Sequence, residues 1–439
     1  MKVHPLSLEQ QTVFAVASLS PELVLDDRQN LYVMVRLSGP VDVQRMQRAF
    51  DDLVARHSAL RTRPAMRPDG SFEQEELEEA SAPVTLGDAG GLDLPELISR
   101  LADTPISYRD PPFARASLTR LDGGDHLLFL GIQHVACDVT GLYLALSDLA
   151  RAYTEQRLEP LPMGYGDHAR WQAAHFADRL ERDAAAWGEY LRGLEPYEVA
   201  QDLPFQPGLP GMVGRSIKVP VLDAAAADQL AKLATRLRAT TFVTLLLAFQ
   251  LALSGRTRSE ERLSATYFDQ RDHPSAREMV GFFLRPTLVR SRLPPDHRVG
   301  EVLAEMTRKA LEAHRLAHVP LLQVVSAYPD ALPGLLGQGP PWFFLLHYMP
   351  QPEPADLRFG EARGAVVHSG VNSRQEPGIA VGLRRDVEGR LSARISYDPT
   401  QWREESIRAL AAHFTRALQA LMEDPSRRVS ELAAPFGSW

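Results

Sequence analysis

The sequence predicts an α/β or α+β protein of two units, and three observations carry that expectation. At 439 residues the chain is too long for one compact core, and two domains of about 200 residues are the natural reading. Strand-like and helix-like segments are mixed in both halves without a regular βα alternation, which suggests sandwiches of sheet and helix. Between the halves, residues 193–214 hold Pro196, Pro204, Pro207 and Pro210 with Gly193, Gly208, Gly211 and Gly214, the clearest break in composition. That break places a first unit at 1–194, a linker at 195–214 and a second unit at 215–439.

The elements follow in order. Leu31 to Leu37 reads as a strand, ended by the turn Ser38-Gly39-Pro40. Asp42 can cap the next helix, whose Val43, Met46, Phe50, Leu53, Val54 and His57 share one face. The segment 64–95 is polar and reads as loops or a sheet edge. Ala116–Leu121 and His126–Ile132 form a hairpin across Asp122-Gly123-Gly124-Asp125. A helix at 141–156 and a long helical region with Trp171, Phe176, Trp187 and Tyr190 complete the first half. In the second half, helices at about 223–237 and 240–254 precede strands near Leu263–Phe268 and Phe283–Arg292. A helix carrying Val299, Val302, Leu303, Met306 and Leu311 comes next. Trp342–Tyr348, Ile379–Arg385 and Leu391–Tyr397 read as strands, the last two joined by Glu388-Gly389, and a helix covers roughly 403–423.

Composition narrows the function. An apolar fraction of 44% and a charged fraction of 24% are ordinary for a soluble enzyme. A net charge of −8 argues against nucleic acid as the main partner. Cys137 is the only cysteine, so no intrachain disulfide forms and a reducing, cytoplasmic setting is expected. The apolar stretch Val13–Ala17 is too short for a signal peptide, and Thr244–Leu253 is far below a membrane span. No metal-ligand spacing, phosphate loop or dinucleotide fingerprint is present, so neither a metal nor a bound cofactor is expected.

The chemistry concentrates at residues 126–149. The apolar run Leu127–Ile132 has the length of a buried strand, and Leu142, Leu146 and Leu149 fall on one helix face. Between them lies Gln133-His134-x-x-x-Asp138, an imidazole and a carboxylate in one turn. Polar groups at the end of a buried strand are costly unless each finds a partner.

These residues belong to a longer pattern. Leu6-Ser7-Leu8-Glu9-Gln10 resembles an LSxxQ motif, and Arg56-His57-Ser58-Ala59-Leu60-Arg61-Thr62 resembles RHxxLRT. Gln133 to Val139 stands where HHxxxDG would, Tyr165 to Gln172 resembles YxDYAxWQ, and Val280-Gly281-Phe282-Phe283 resembles VGxFVNT, with Arg271 upstream of it. In this order, the motifs make the chain resemble a condensation domain of nonribosomal peptide synthetases, in the chloramphenicol-acetyltransferase-like superfamily. The resemblance spans nearly the whole sequence. It implies two acetyltransferase-like α/β sandwich subdomains in a V-shaped pseudo-dimer, with a substrate tunnel at their junction. It also implies an acyltransferase that joins a carrier-protein-bound acyl or aminoacyl thioester to an amine or alcohol, giving an amide or ester in the biosynthesis of peptide antibiotics and related products. The phosphopantetheine arm of an acyl-loaded carrier protein would bring the donor, and the acceptor would be a small molecule or carrier-bound.

The resemblance assigns roles residue by residue. His134 is the implied catalytic group. An imidazole with an ordinary pKa near ~6.5 can take a proton from the nucleophile, or it can orient the nucleophile and hydrogen-bond the tetrahedral intermediate. Asp138 could orient His134 or pair with a cation; the resemblance favours a structural pair with Arg271. Gln133 replaces the motif's first histidine, itself read as structural, and Val139 replaces its glycine, with Gly141 as a candidate to supply the lost backbone freedom. Cys137 reads as a small apolar filler. Arg285 replaces an asparagine, and with Gly141, Trp342 and His347 it is assigned to the substrate tunnel. Its guanidinium is either solvated or meets a substrate carboxylate or phosphate. Because the chain begins at Met1 and ends at Trp439, it is expected to be a stand-alone, monomeric enzyme acting on a carrier in trans. Carriers are acidic as a rule, so Arg45, Arg48 and Arg56, or Arg308 and Lys309, are candidates for docking. The alternatives are a catalytically silent relative that recruits partners to an assembly line and, less favoured, an epimerase-type relative.

Overall fold

The strand Asn30–Ser38 shows how the first unit is layered. Its Leu31, Val33, Val35 and Leu37 belong to one buried cluster with Met46, Phe50 and Leu53 of the helix Val43–Arg56 and Leu142, Leu146 and Leu149 of the helix Val139–Tyr153. Its Tyr32 and Met34 belong to another, with Leu127, Phe129 and Leu97 of the helix Leu94–Ala102. Side chains alternate across a strand, so a strand buried on both faces can carry helices on each. Six strands form the sheet, in the order Leu357–Phe359, Ala362–Asn372, Asn30–Ser38, His126–Gln133, Ala114–Arg120, Thr85–Asp88. A smaller sheet joins Lys2–Pro5, Phe72–Glu76 and Thr62–Met66. The polar stretch 64–95 therefore supplies strands as well as an edge, and the helix Leu94–Ala102 follows it.

This is a computed structural model that describes residues 1–19, 26–194, 199–204, 214–257, 259–321, 323–324, 344–350, 353–372 and 378–433. Packing divides the chain into two units, and neither is continuous in sequence. The first holds Met1–Asp178, Asp269–Arg285 and Glu353–Ser373; the second holds Arg179–Phe268, Pro286–Pro352 and Arg374–Trp439. The division expected at 1–194, 195–214 and 215–439 is thus not the one that packing makes. The reason is hydrogen bonding remote in sequence: Ala362–Asn372 pairs antiparallel with Asn30–Ser38, from Arg363 opposite Ser38 to Asn372 opposite Asn30. Much of the expected linker, 195–198 and 205–213, lies outside the described residues.

The second unit has its own six-stranded sheet, ordered Leu284–Arg292, Glu261–Asp269, Phe344–Met349, Ile379–Arg385, Leu391–Tyr397, Arg215–Leu222. The turn between Ile379–Arg385 and Leu391–Tyr397 needs Gly389, whose φ is +83°, a conformation that costs other residues dearly. Helices Ala224–Arg236, Thr241–Ala252, Val299–Leu316 and Glu404–Glu423 contribute to one apolar core with these strands. The helix Thr241–Ala252 is buried from Val243 to Ala252, which accounts for its apolar sequence. No single described helix is long and apolar enough to cross a membrane.

Candidate active site

The strand His126–Gln133 ends in a single turn of 3-10 helix, His134–Ala136, and Asp138 then caps the helix Val139–Tyr153. Each group in this turn has a definable task. The Asp138 side chain is fully buried. Its Oδ1 accepts from the Gly141 N–H at 2.6 Å and from Arg271 Nη2 at 2.9 Å. Its Oδ2 accepts from Arg271 Nη1 at 3.0 Å and from the Phe283 N–H at 3.1 Å. Burying a carboxylate is tolerable when it is paired and hydrogen-bonded in this way. Arg271 also binds Asp269, whose other oxygen accepts from Thr140 Oγ1 at 2.9 Å.

His134 takes its partner elsewhere. Its Nδ1 lies 3.0 Å from the Cys137 carbonyl oxygen. A carbonyl can only accept, so Nδ1 carries the proton and Nε2 keeps its lone pair. Burial holds the imidazole below its ordinary pKa, so the neutral form prevails at pH 7. The half-buried ring meets Phe282 edge-on, with centroids 5.4 Å apart. The Cys137 thiol is buried and, through that burial, held well above its ordinary pKa, which makes it a poor nucleophile.

The departures from the motif find physical explanations. Gln133 donates to the carbonyls of Asp26 at 3.1 Å and Ile106 at 2.9 Å, and accepts from the His134 N–H at 2.8 Å. A neutral histidine offers one donor and one acceptor, so the amide ties the turn down with one more bond. Val139 is the first residue of its helix, half-buried against the apolar core of the first unit. The close approach occurs at Gly141 instead: a Cβ there would lie 2.9 Å from Cys137 Sγ and 3.2 Å from Asp138 Oδ1.

Arg285 requires a correction. It is neither solvated nor open to a substrate anion, being only 3% exposed. Its Nε donates to Glu9 Oε1 at 2.7 Å and its Nη2 lies 2.9 Å from Asp272 Oδ2. Glu9 accepts in addition from Gln172 Nε2 at 3.0 Å. The docking candidate Arg56 is corrected likewise: its side chain is 6% exposed and its Nε lies 3.0 Å from Asp148. Arg45 stacks on Tyr153 and binds its carbonyl, Arg308 and Lys309 pair with Glu312, and Arg48 is exposed.

Thus His134, Gln133, Asp138, Gly141 and Arg271 come together in the first unit. Arg285 belongs to a separate buried network of that unit. His347 lies in the second unit on the strand Phe344–Met349, its ring 5.7 Å from that of Tyr267. Trp342 is outside the described residues. The sequence reading passed over Phe282, which occupies the variable position of its motif. It also missed that Ser7 and Tyr165 share a hydrogen bond of 2.9 Å.

Known proteins resemble this chain over nearly its whole length. Residues 2–435 match the family described as Condensation domain. Surfactin synthase subunit 1 of Bacillus subtilis (strain 168) is 24% identical over 431 residues, covering 98% of this chain and 12% of that protein. The chain therefore spans about an eighth of that relative's length. Among solved structures, the SgcC5 protein of Streptomyces globisporus shares the fold with a TM-score of 0.80 and 21% identity, covering 97% of this chain and all of that one. The X-domain from teicoplanin biosynthesis, solved in complex with OxyB, matches with a TM-score of 0.78 and 23% identity over 98% and 96% of the two chains. With the turn, the arginine–aspartate pair and both layered units in place, the match over nearly its full length assigns the chain to the condensation-domain family.

Proposed function

We propose that the chain transfers an acyl group from a carrier-protein thioester to an amine or alcohol acceptor, with His134 Nε2 as the proton acceptor. The observation that carries this reading is the hydrogen bond from Nδ1 to the Cys137 carbonyl. It fixes the tautomer whose lone pair sits on Nε2, and the lowered pKa keeps that lone pair free at neutral pH. The neutral acceptor attacks the thioester carbonyl while Nε2 takes its proton. The tetrahedral oxyanion then collapses, the C–S bond breaks, and the imidazolium returns the proton to the departing phosphopantetheine thiolate. The products are an amide or ester and a free thiol. General base catalysis of this kind contributes typically ~10²–10⁴-fold.

Asp138 is assigned structural support: its oxygens are taken by Arg271 and two main-chain N–H groups, and it makes no hydrogen bond to the imidazole among the described contacts. Gln133 and Val139, the residues that favour a silent relative, take helpful positions in the turn. Neither residue therefore argues against catalysis.

The test is mass spectrometry of acyl occupancy on loaded carrier proteins, with amine and alcohol acceptors, comparing the native chain with His134→Ala. Acceptor-dependent loss of the acyl group that the substitution suppresses supports the reading. Equal turnover by a folded variant removes His134 from the chemistry. No turnover across a broad panel, with tight binding to another biosynthetic protein, supports recruitment.

A further inference from the structure

We propose that Phe282 is a positioning residue for His134: its ring fixes the orientation of the imidazole and covers it from bulk water. The proposal deepens the acyl-transfer reading and rests on it. One hydrogen bond at Nδ1 fixes one corner of the imidazole and leaves the ring free to rock about that corner. The Phe282 ring supplies the second restraint, with the planes at 89° and the residue 8% exposed.

Phe282 is itself held from both sides. Tyr165 Oη donates to the Phe282 carbonyl at 2.8 Å, and the same phenol oxygen meets Ser7 Oγ at 2.9 Å. On the next residue, the Phe283 N–H donates to Asp138 Oδ2 at 3.1 Å. On the preceding one, the Gly281 carbonyl accepts from the Asp138 N–H at 3.0 Å. A Cβ at Gly281 would fall 2.5 Å from the Tyr165 ring, so only glycine lets the main chain come this close. Ser7, Tyr165, Gly281 and Asp138 thereby share one task. They pin three consecutive residues and deliver one aromatic ring to the imidazole.

The charges near the imidazole are largely met by partners of their own. Asp138 is the charged side chain that acts on His134, and its charge is met by Arg271 at 2.9 Å. The Cys137 thiol in the same turn is held protonated by its burial. Burial is the largest influence on how easily His134 is protonated, ahead of the hydrogen bond to the Cys137 carbonyl, and an imidazole that loses the Phe282 ring moves toward ~6.5.

Nuclear magnetic resonance of ¹⁵N-histidine-labelled protein, assigned through His134→Ala, tests this in the native chain, Phe282→Ala, Phe282→Leu and Tyr165→Phe. The native spectrum should show the Nδ1–H tautomer. Phe282→Ala should mix the tautomers and raise the His134 pKa, and the acid limb of kcat/KM should move up by the same amount while kcat falls at least ~10-fold. Phe282→Leu, which keeps bulk, should restore most of both; Tyr165→Phe should shift both in the same direction by less. The His57 signal, whose nitrogens are bonded to Asp148 and Val280, reports whether the fold survives. Unchanged tautomer and pKa in folded Phe282→Ala overturn the proposal even where activity falls, because a merely structural residue gives that result. If the native chain transfers no acyl group, the catalytic reading fails, and the titration still decides whether Phe282 positions His134.

Discussion

His57 and His134 lie in the same unit and differ in how many ring nitrogens are bonded. His57 is fully buried, with Nε2–H donating to Asp148 at 3.0 Å and Nδ1 accepting from the Val280 N–H at 3.2 Å. Burial lowers its pKa despite the carboxylate beside it. Both hydrogen-bonding positions are used, so His57 works as a buried cross-link. His134 uses one nitrogen to hold itself, and its Nε2 makes no hydrogen bond among the described residues. The difference teaches that a histidine's capacity for chemistry lies in its unused hydrogen-bonding nitrogen more than in its pKa, which is lowered in both.

Substitution should separate the two. His134→Ala is expected to lower kcat by roughly 10²–10⁴ while leaving the unfolding midpoint nearly unchanged. His57→Ala removes two buried hydrogen bonds, leaving Asp148 with one partner fewer and the Val280 N–H without its acceptor, so its main effect should be lost stability of about 2–4 kcal/mol. Denaturant unfolding beside single-turnover kinetics measures both. A His57 variant that is stable but inactive would break the comparison.

The same contrast recurs in two ion-pair networks. Arg271 lies between Asp138 and Asp269, and Arg285 lies between Glu9 and Asp272. In each, one carboxylate is fully buried and the other about a quarter exposed. Removing one member of a buried pair costs roughly 3–5 kcal/mol because the partner charge is left uncompensated. Asp138→Ala should show that loss and also lower kcat, since it uncaps the helix beside His134 and frees Phe283. Arg285→Met should show a comparable loss with kcat and KM unchanged per folded molecule. Selectively raised KM for an anionic substrate in that variant would return Arg285 to substrate binding.

How much of this was legible follows from how local each interaction is. The turn could be read because its parts are contiguous: a buried run, Leu127–Ile132, followed by a capping Asp138 and a helix with Leu142, Leu146 and Leu149 on one face. Burial of Arg285 could not, because its partners Glu9 and Asp272 are remote and no local pattern marks a paired guanidinium. The strand Ala362–Asn372 was missed for a similar reason. Gly364 and Gly370 weaken its strand signal, and its stabilising partner is Asn30–Ser38. Phe282 looked like one apolar residue among several until its ring was found against His134.

His168 extends the series to a histidine with neither nitrogen hydrogen-bonded among the described residues. It is fully buried, and burial pushes it down to about 4, with Glu9, Arg285, Asp272 and His273 the charged or titratable groups around it. Unfolding returns its pKa to 6.5, so between pH 6.5 and about 4 the unfolded chain binds the extra proton. The stability His168 permits is complete above 6.5 and declines on acidification, by about 3 kcal/mol on reaching pH 4. His168→Phe, which packs the same space without polar atoms, should flatten that decline and leave stability at pH 7 equal or higher. Unfolding free energies at closely spaced pH values measure the slope. An equally steep slope in the variant would assign the decline to other groups.

The smallest expected effect is at Gln133, and it bears on whether the departure from the motif matters. Restoring the histidine by Gln133→His exchanges two donors and one acceptor for one of each, so one of the bonds to Asp26, Ile106 and the His134 N–H is lost. The cost should be about 1 kcal/mol. Activity should stay within about 3-fold of native, because a group that only holds the main chain reaches the chemistry through His134's position and not through its own protons. A large gain in turnover would mean that Gln133 restrains catalysis, and would shift the balance toward a chain whose primary work is recruitment. A large loss without unfolding would mean that the third hydrogen bond holds His134 in its working geometry, making the glutamine an adaptation of this turn rather than a defect in it.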